Sequence, residues 1–106
     1  MSRAKVHVSV AARRDLDRIA GYLEEQAGRR TARRWVLMVE AQTVRLAEHP
    51  LMGQSDANLG EGLRRTVVAP YVIVYEVSPD CKSVSVLRIL HGARDIPSLL
   101  GVISSD

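Results

Sequence analysis

The spacing of apolar residues changes once along this chain, and that change constrains the fold more than any single motif. From Ala12 to Leu46 apolar side chains recur at helical spacing, while from Leu63 to Leu90 they fall in short valine-rich runs with period two. A segment patterned for one period cannot present one buried face in the other. Helices therefore precede most of the sheet, and the class is α+β.

Val6, Val8 and Val10 alternate with His7 and Ser9, so a short half-buried strand opens the chain. Ser9 then offers a hydroxyl as helix N-cap. Ala12, Leu16, Ile19, Ala20, Leu23 and Ala27 form one apolar helical face, with Arg13, Arg14, Asp15, Asp17, Arg18, Glu24 and Glu25 on the rest. Gly28 stops this helix, and Thr31 is placed to cap a second one whose apolar face holds Ala32, Trp35, Val36, Val39, Thr43 and Leu46. Pro50 and Gly53 end it. About four residues separate the two helices, which predicts an antiparallel hairpin.

Leu51 to Gly62 is rich in Gly, Asn, Asp and Ser without periodicity and reads as a surface loop. Three strand candidates follow: Leu63 to Val68, Val72 to Val77 and Ser83 to Leu90. Ser78-Pro79-Asp80 supplies turn chemistry between the last two. Short connections make these an antiparallel meander. The predicted order is β-α-α-β-β-β, with the helices packed on one face of the sheet.

The 106 residues, 46% hydrophobic and 25% charged, suit one domain over 1–106, with 96–106 as a tail. That tail carries Leu99, Leu100, Val102 and Ile103, too apolar to be simply solvated. One cysteine, Cys81, rules out an intramolecular disulfide and a Cys-based zinc site, and fits a reducing cytoplasm. No secretory signal or membrane span is visible. The formal charge is +3, and the cations are nearly all arginine, with only Lys5 and Lys82 besides. Arginine forks suit carboxylates and phosphates, so the balance favours an anionic partner.

Three places draw attention as sites. The last strand runs into His91-Gly92-Ala93-Arg94-Asp95, gathering imidazole, guanidinium and carboxylate where an apolar strand stops. Either this cluster does chemistry, or His91 ties the strand end to nearby backbone while Arg94 pairs with Asp95 or a helix carboxylate. Arg29, Arg30, Arg33 and Arg34 crowd the start of the second helix, where cations oppose the helix dipole. Glu24 and Glu25 can offset them, or the cluster is a docking surface for an acidic segment. Tyr71 and Tyr75 share a strand face with Ile73 and Val77 and read as core, as Trp35 does among its neighbours; each is secondarily a partner contact. Arg88 shares its strand face with Val84, Val86 and Leu90, so it either reaches solvent or is buried with a partner.

In order and spacing, these residues resemble the ParE/RelE superfamily of toxins from bacterial type II toxin-antitoxin modules. The likeness rests on Ser9, Ala12, Asp15, Leu16, Ile19 and Tyr22, then Ala32, Trp35 and Leu46, then Pro50 with Gly53. It continues through Leu63-Arg64, Tyr71, Ile73, Tyr75 and Val77 to Val86, Arg88, Leu90, His91, Arg94 and Asp95, spanning about Val6 to Asp95. The resemblance implies a toxin held inactive by a cognate antitoxin, a small DNA-binding protein with a C-terminal toxin-binding segment. It implies no cofactor and no metal.

The superfamily divides by mechanism. The RelE-like branch cleaves messenger RNA on the ribosome without metal; the ParE-like branch poisons DNA gyrase. RNA cleavage needs proton-transfer groups and cations around the phosphorane, and here the nominees are Arg65, His91 and Arg94, with Arg88 as a further cation. RNA-cleaving relatives tend to carry central-strand lysines or a tyrosine beyond the last strand, and nothing aromatic follows Tyr75. The tail His91 to Asp95, after a Tyr-x-x-x-Tyr strand, is more typical of the ParE-like branch. The resemblance then implies protein binding, not chemistry, with gyrase as target. Contact candidates are Arg29, Arg30, Arg33, Arg34, Trp35, Tyr71, Tyr75, Arg88, His91 and Arg94. A member that binds antitoxin but has lost toxicity is the third reading.

Overall fold

A computed structural model describes residues 3–96. Its elements are β1 (Lys5–Val8), α1 (Val10–Ala27), α2 (Arg29–Glu48), β2 (Gln54–Ser55), β3 (Arg64–Val68), β4 (Tyr71–Val77) and β5 (Ser83–His91). One five-stranded sheet has the order β1-β5-β4-β3-β2. Strands β2 to β5 pair antiparallel in succession, while β1 lies parallel to β5, with Val8 opposite Val86. The predicted meander and hairpin are present. The parallel pairing of the first and last strands was not legible in either strand. Among the described residues no helix is long and apolar enough to cross a membrane.

Ser9 turns the chain from strand to helix. Its N–H donates to Val86 O as the last link of the β1–β5 pairing, and its Oγ accepts from Ala12 N–H at 3.0 Å. The same hydroxyl donates to Leu87 O at 2.9 Å. Val10 therefore belongs to the helix, not to the opening strand. Ser9→Ala removes the cap and leaves the Leu87 carbonyl short of a donor, so chemical denaturation should show a loss of about 1–2 kcal/mol.

Two expectations about the hairpin need correction. Thr31 does not cap α2 but sits within it, and the connection is one residue, Gly28, instead of about four. Gly28 has φ +94°, a conformation that side-chain-bearing residues rarely adopt, and donates its N–H to Glu24 O. That single left-handed residue is enough to reverse the chain. The predicted loop is likewise interrupted, because Gln54–Ser55 pairs with Arg64 and Arg65 as the edge strand β2.

The helices bury Ala12, Ile19, Trp35, Val39 and Leu46 against Tyr71, Ile73, Tyr75, Val84, Val86 and Ile89 of the sheet. Strand alternation sends Val72 and Val74 to the other face, where Leu59, Leu63, Leu90 and Ile96 cover them. Leu87 is an extra residue on β5, because Tyr75 pairs with Val86 whereas Val74 pairs with Arg88. This bulge corrects the predicted shared face: Val84 and Val86 join the helix-side core, but Leu90 belongs to the opposite cluster. Ile96, the first tail residue, is buried there. The other tail residues singled out, Leu99, Leu100, Val102 and Ile103, lie outside the described residues.

Candidate functional site

A cleft of about 390 Å³ opens at the Gly28 end of the hairpin, above the end of β5. Tyr22 and Leu23 come from α1, and Thr31, Arg34, Trp35 and Met38 from α2. Pro70 comes from the β3–β4 turn and Tyr71 from the start of β4, and His91 and Arg94 from the end of β5 and the turn after it. Trp35 and Tyr71 are buried and form an edge-on ring pair with centroids 5.1 Å apart. Tyr71 meets the His91 ring in the same way at 5.5 Å. Three rings in series thus link α2, β4 and β5, giving the cleft an aromatic floor fixed by packing. The Trp35 indole N–H is buried without an acceptor among the described residues.

His91 organises the turn at the rim. Its Nδ1 accepts from Ala93 N–H and Arg94 N–H, both at 3.2 Å, so the ring proton sits on Nε2. Its own N–H donates to Asp95 Oδ2 at 2.7 Å. The imidazole ties down backbone, as one of the two sequence readings has it, and the turn carries Arg94 to the cleft.

At the start of α2 the four arginines separate. Arg29 lies 3.7 Å from Glu24, and among the described residues no carboxylate comes within 4.0 Å of Arg30, Arg33 or Arg34. Arg29 and Arg33 line a shallow groove on the outside of the hairpin, beside Asp17 and Glu24, whereas Arg34 lines the cleft. Arg30 is exposed.

The remaining candidates lie elsewhere. Tyr75 is fully buried, and its hydroxyl accepts from Gly53 N–H at 2.9 Å. Arg65 pairs with Asp56 at 3.5 Å beside β2. Tyr71 pairs with both Val68 and His91, so Arg65 lies three residues down the sheet and two strands across from His91. That is roughly 10 Å in each direction. The fold brings His91 and Arg94 together and leaves Arg65 in a different hollow.

Arg88 meets Asp15, a helix residue whose role the sequence pattern obscured. Asp15 was grouped with the solvent-facing residues of the first helix, yet it is buried. Beyond Val86, β1 no longer covers the edge of β5, and the Asp15 carboxylate takes its place, accepting Ile89 N–H at 2.9 Å. Arg88 adds Nε at 2.7 Å and a second guanidinium nitrogen at 3.0 Å, while Arg18 lies 3.4 Å away. Burial pushes this carboxyl up, but the hydrogen bonds from Arg88 and Ile89 N–H outweigh it and hold the group below the ordinary aspartate range. The same contact raises Arg88 further.

Sequence reasoning missed Tyr22 and Met38 as cleft residues. Both are apolar yet about half exposed. The available signal was an apolar residue beside the helix's buried stripe, which the 3.6-residue period of the core does not explain.

The pattern of the family described as "ParE toxin of type II toxin-antitoxin system, parDE" matches residues 6–96. Toxin ParE1 of Caulobacter vibrioides is 35% identical over 94 residues, covering 89% of this chain and 95% of the relative. Putative toxin Y4kP of Sinorhizobium fredii is 32% identical over 105 residues, covering 94% and 100%. In fold, the chain is similar to one from the chromosomal ParDE system of P. aeruginosa, with TM-score 0.72 and 21% identity, covering 84% of this chain and 96% of that one. It is also similar to a chain of the RelBE2 toxin-antitoxin complex of Mycobacterium tuberculosis, with TM-score 0.58 and 23% identity, covering 84% and 98%. The match across both helices and every strand but the first residue of β1 settles the family: this chain belongs to the ParE toxins of type II toxin-antitoxin systems.

Proposed function

We propose that this chain acts in the cytoplasm by binding and inhibiting DNA gyrase, and that a cognate antitoxin neutralises it by docking on the toxin surface. The observation that carries the reading is its membership of the ParE family over residues 6–96. The geometry of the site supports binding over catalysis. Cleavage of RNA without metal needs base, acid and phosphate clamp around one phosphorus. Here Arg65 is engaged by Asp56 away from His91, and the His91 Nδ1 lone pair is engaged by backbone. An apolar cleft with arginines at its rim is suited to holding a polypeptide.

The test is induction of the chain in cells with DNA and protein synthesis followed separately, beside gyrase supercoiling with purified protein. Inhibited supercoiling and early arrest of DNA synthesis are expected. Early arrest of translation with cut messages and normal supercoiling would point instead to the ribosome and mRNA. Normal growth with normal supercoiling would mark a non-toxic antitoxin binder.

A further inference from the structure

We infer that a cavity at the open end of the helical hairpin is a binding site for one small uncharged apolar molecule, a single hydrocarbon ring in size. The site owes nothing to the gyrase reading and shares no lining residue with the Trp35–Tyr71 cleft.

The cavity holds about 160 Å³ between the two helices and the sheet. Its apolar walls are Val8 of β1, Leu16 of α1, Val39 of α2, Ile73 of β4, and Val86 and Ile89 of β5. Val39, Ile73, Val86 and Ile89 are no more than 3% exposed, so the space reaches into the core beneath the helices. Protein interiors keep few voids larger than one water, whose share of the liquid is about 30 Å³, and this one is several times that. An apolar cavity of about 150 Å³ stays dry and takes up benzene or xenon.

Water has little to hold it there, because a buried water needs two to four polar partners. Among the described residues the buried side-chain polar atoms without a hydrogen bond are Trp35 Nε1 and Arg64 Nε, and neither residue lines the cavity. Backbone groups of the wall are satisfied as well: Val86 O accepts from Ser9 N–H, and Ile89 N–H donates to Asp15. An apolar occupant would instead restore dispersion contacts that the walls lack.

The mouth sets the charge of the occupant. Arg13 and Glu40 are exposed and Thr43 is half-buried, so these three residues form a polar rim on an otherwise apolar lining. One cation and one anion favour neither sign of ligand, and the Thr43 hydroxyl already donates to Glu40 O at 2.7 Å. A charged group carried past them would lose its hydration to walls with no polar side chain to replace it.

The experiment is titration of the purified full chain with benzene, followed by methyl NMR and by thermal melts. Saturable shifts should centre on the methyls of Leu16, Val39, Ile73, Val86 and Ile89. At ten times its dissociation constant, benzene should raise the melting temperature by about 5–10 °C. Benzoate and benzylammonium, which add one charge to the same ring, should bind at least tenfold more weakly. Val39→Ile adds a methylene into open space, so it should fold without the loss of stability that overpacking a filled core brings. The same variant should weaken benzene binding threefold or more.

No saturable shift in the parent, or shifts that centre instead on Leu23 and Met38 of the cleft, would overturn the site. Equal benzene affinity in the parent and Val39→Ile would overturn its placement. Tighter binding of benzoate than of benzene would overturn the uncharged class in favour of an anion held by Arg13.

Discussion

Asp15→Ala is expected to lower the free energy of unfolding by about 3 kcal/mol, the largest loss for any polar substitution in this chain. One buried carboxylate serves the Ile89 N–H and the Arg88 guanidinium at once, with Arg18 as a more distant third partner at 3.4 Å. It satisfies the Ile89 N–H at the point where β1 leaves the edge of β5, and it accepts two hydrogen bonds from Arg88. Alanine leaves the amide unsatisfied and the guanidinium without its counter-charge. Arg88→Met should cost less, about 1–2 kcal/mol, because the arginine side chain is half exposed and keeps water on one side. Urea titrations of the three proteins check the order.

Acid should act through the same contact. The Asp15 carboxyl is held below its unfolded value, so its contribution is complete above about pH 4, the ordinary aspartate range. It is lost as the pH falls through the lower folded value, because protonation removes the charge that Arg88 binds. Asp15→Asn keeps an oxygen for Ile89 N–H but cannot titrate. Its melting temperature should be lower than the parent's at neutral pH and should fall less steeply in acid. A parallel fall in both proteins would place the acid sensitivity elsewhere.

Gly53→Ala is the second large effect, expected at about 2–3 kcal/mol. A Cβ at residue 53 would lie 2.5 Å from the Arg65 carbonyl oxygen and 2.5 Å from the Tyr75 hydroxyl, with Tyr75 Cε1 at 2.9 Å. The carbonyl belongs to the β2–β3 ladder and the ring is fully buried, so neither can withdraw cheaply. Tyr75→Phe alone loses the bond from Gly53 N–H, about 1 kcal/mol. Combining the two should cost less than the sum, because phenylalanine removes one of the atoms that the new methyl meets. Strict additivity in a double-mutant cycle would refute the close approach. The sequence places Gly53 as a helix-ending residue, whereas its structural role is to let the chain pass against a tyrosine from the centre of the sheet.

Much of the fold was legible because its local signals agree. The helical spacing of Ala12, Ile19, Trp35, Val39 and Leu46, the Ser9 cap and the stop at Gly28 all point to two adjoining helices, and both are there. Errors arose where one residue serves two elements. Thr31 looked like a cap because nothing local says that Gly28 can end one helix and begin the next. The Leu87 bulge was invisible because an inserted residue leaves each short run still alternating.

The candidate site was half legible. Arg34, Trp35, Tyr71, His91 and Arg94 were singled out and do line one cleft, but nothing in their spacing separated them from Arg29, Arg30, Arg33, Tyr75 and Arg88. Residues far apart in the chain share a pocket only once strand register and helix rotation are known.

The sequence by itself determined the element order, the two periodicities and the family likeness, because these are properties of neighbours a few residues apart. Tertiary structure alone decided that β1 closes the sheet beside β5, that Asp15 replaces it as the partner of Ile89, and that Trp35, Tyr71 and His91 meet edge-on in the cleft that Arg34 also lines. The physical reason is the same in each case. A polar or aromatic residue declares its role through the group it meets, and those groups lie 74 positions away for Asp15 and on separate elements for the three rings.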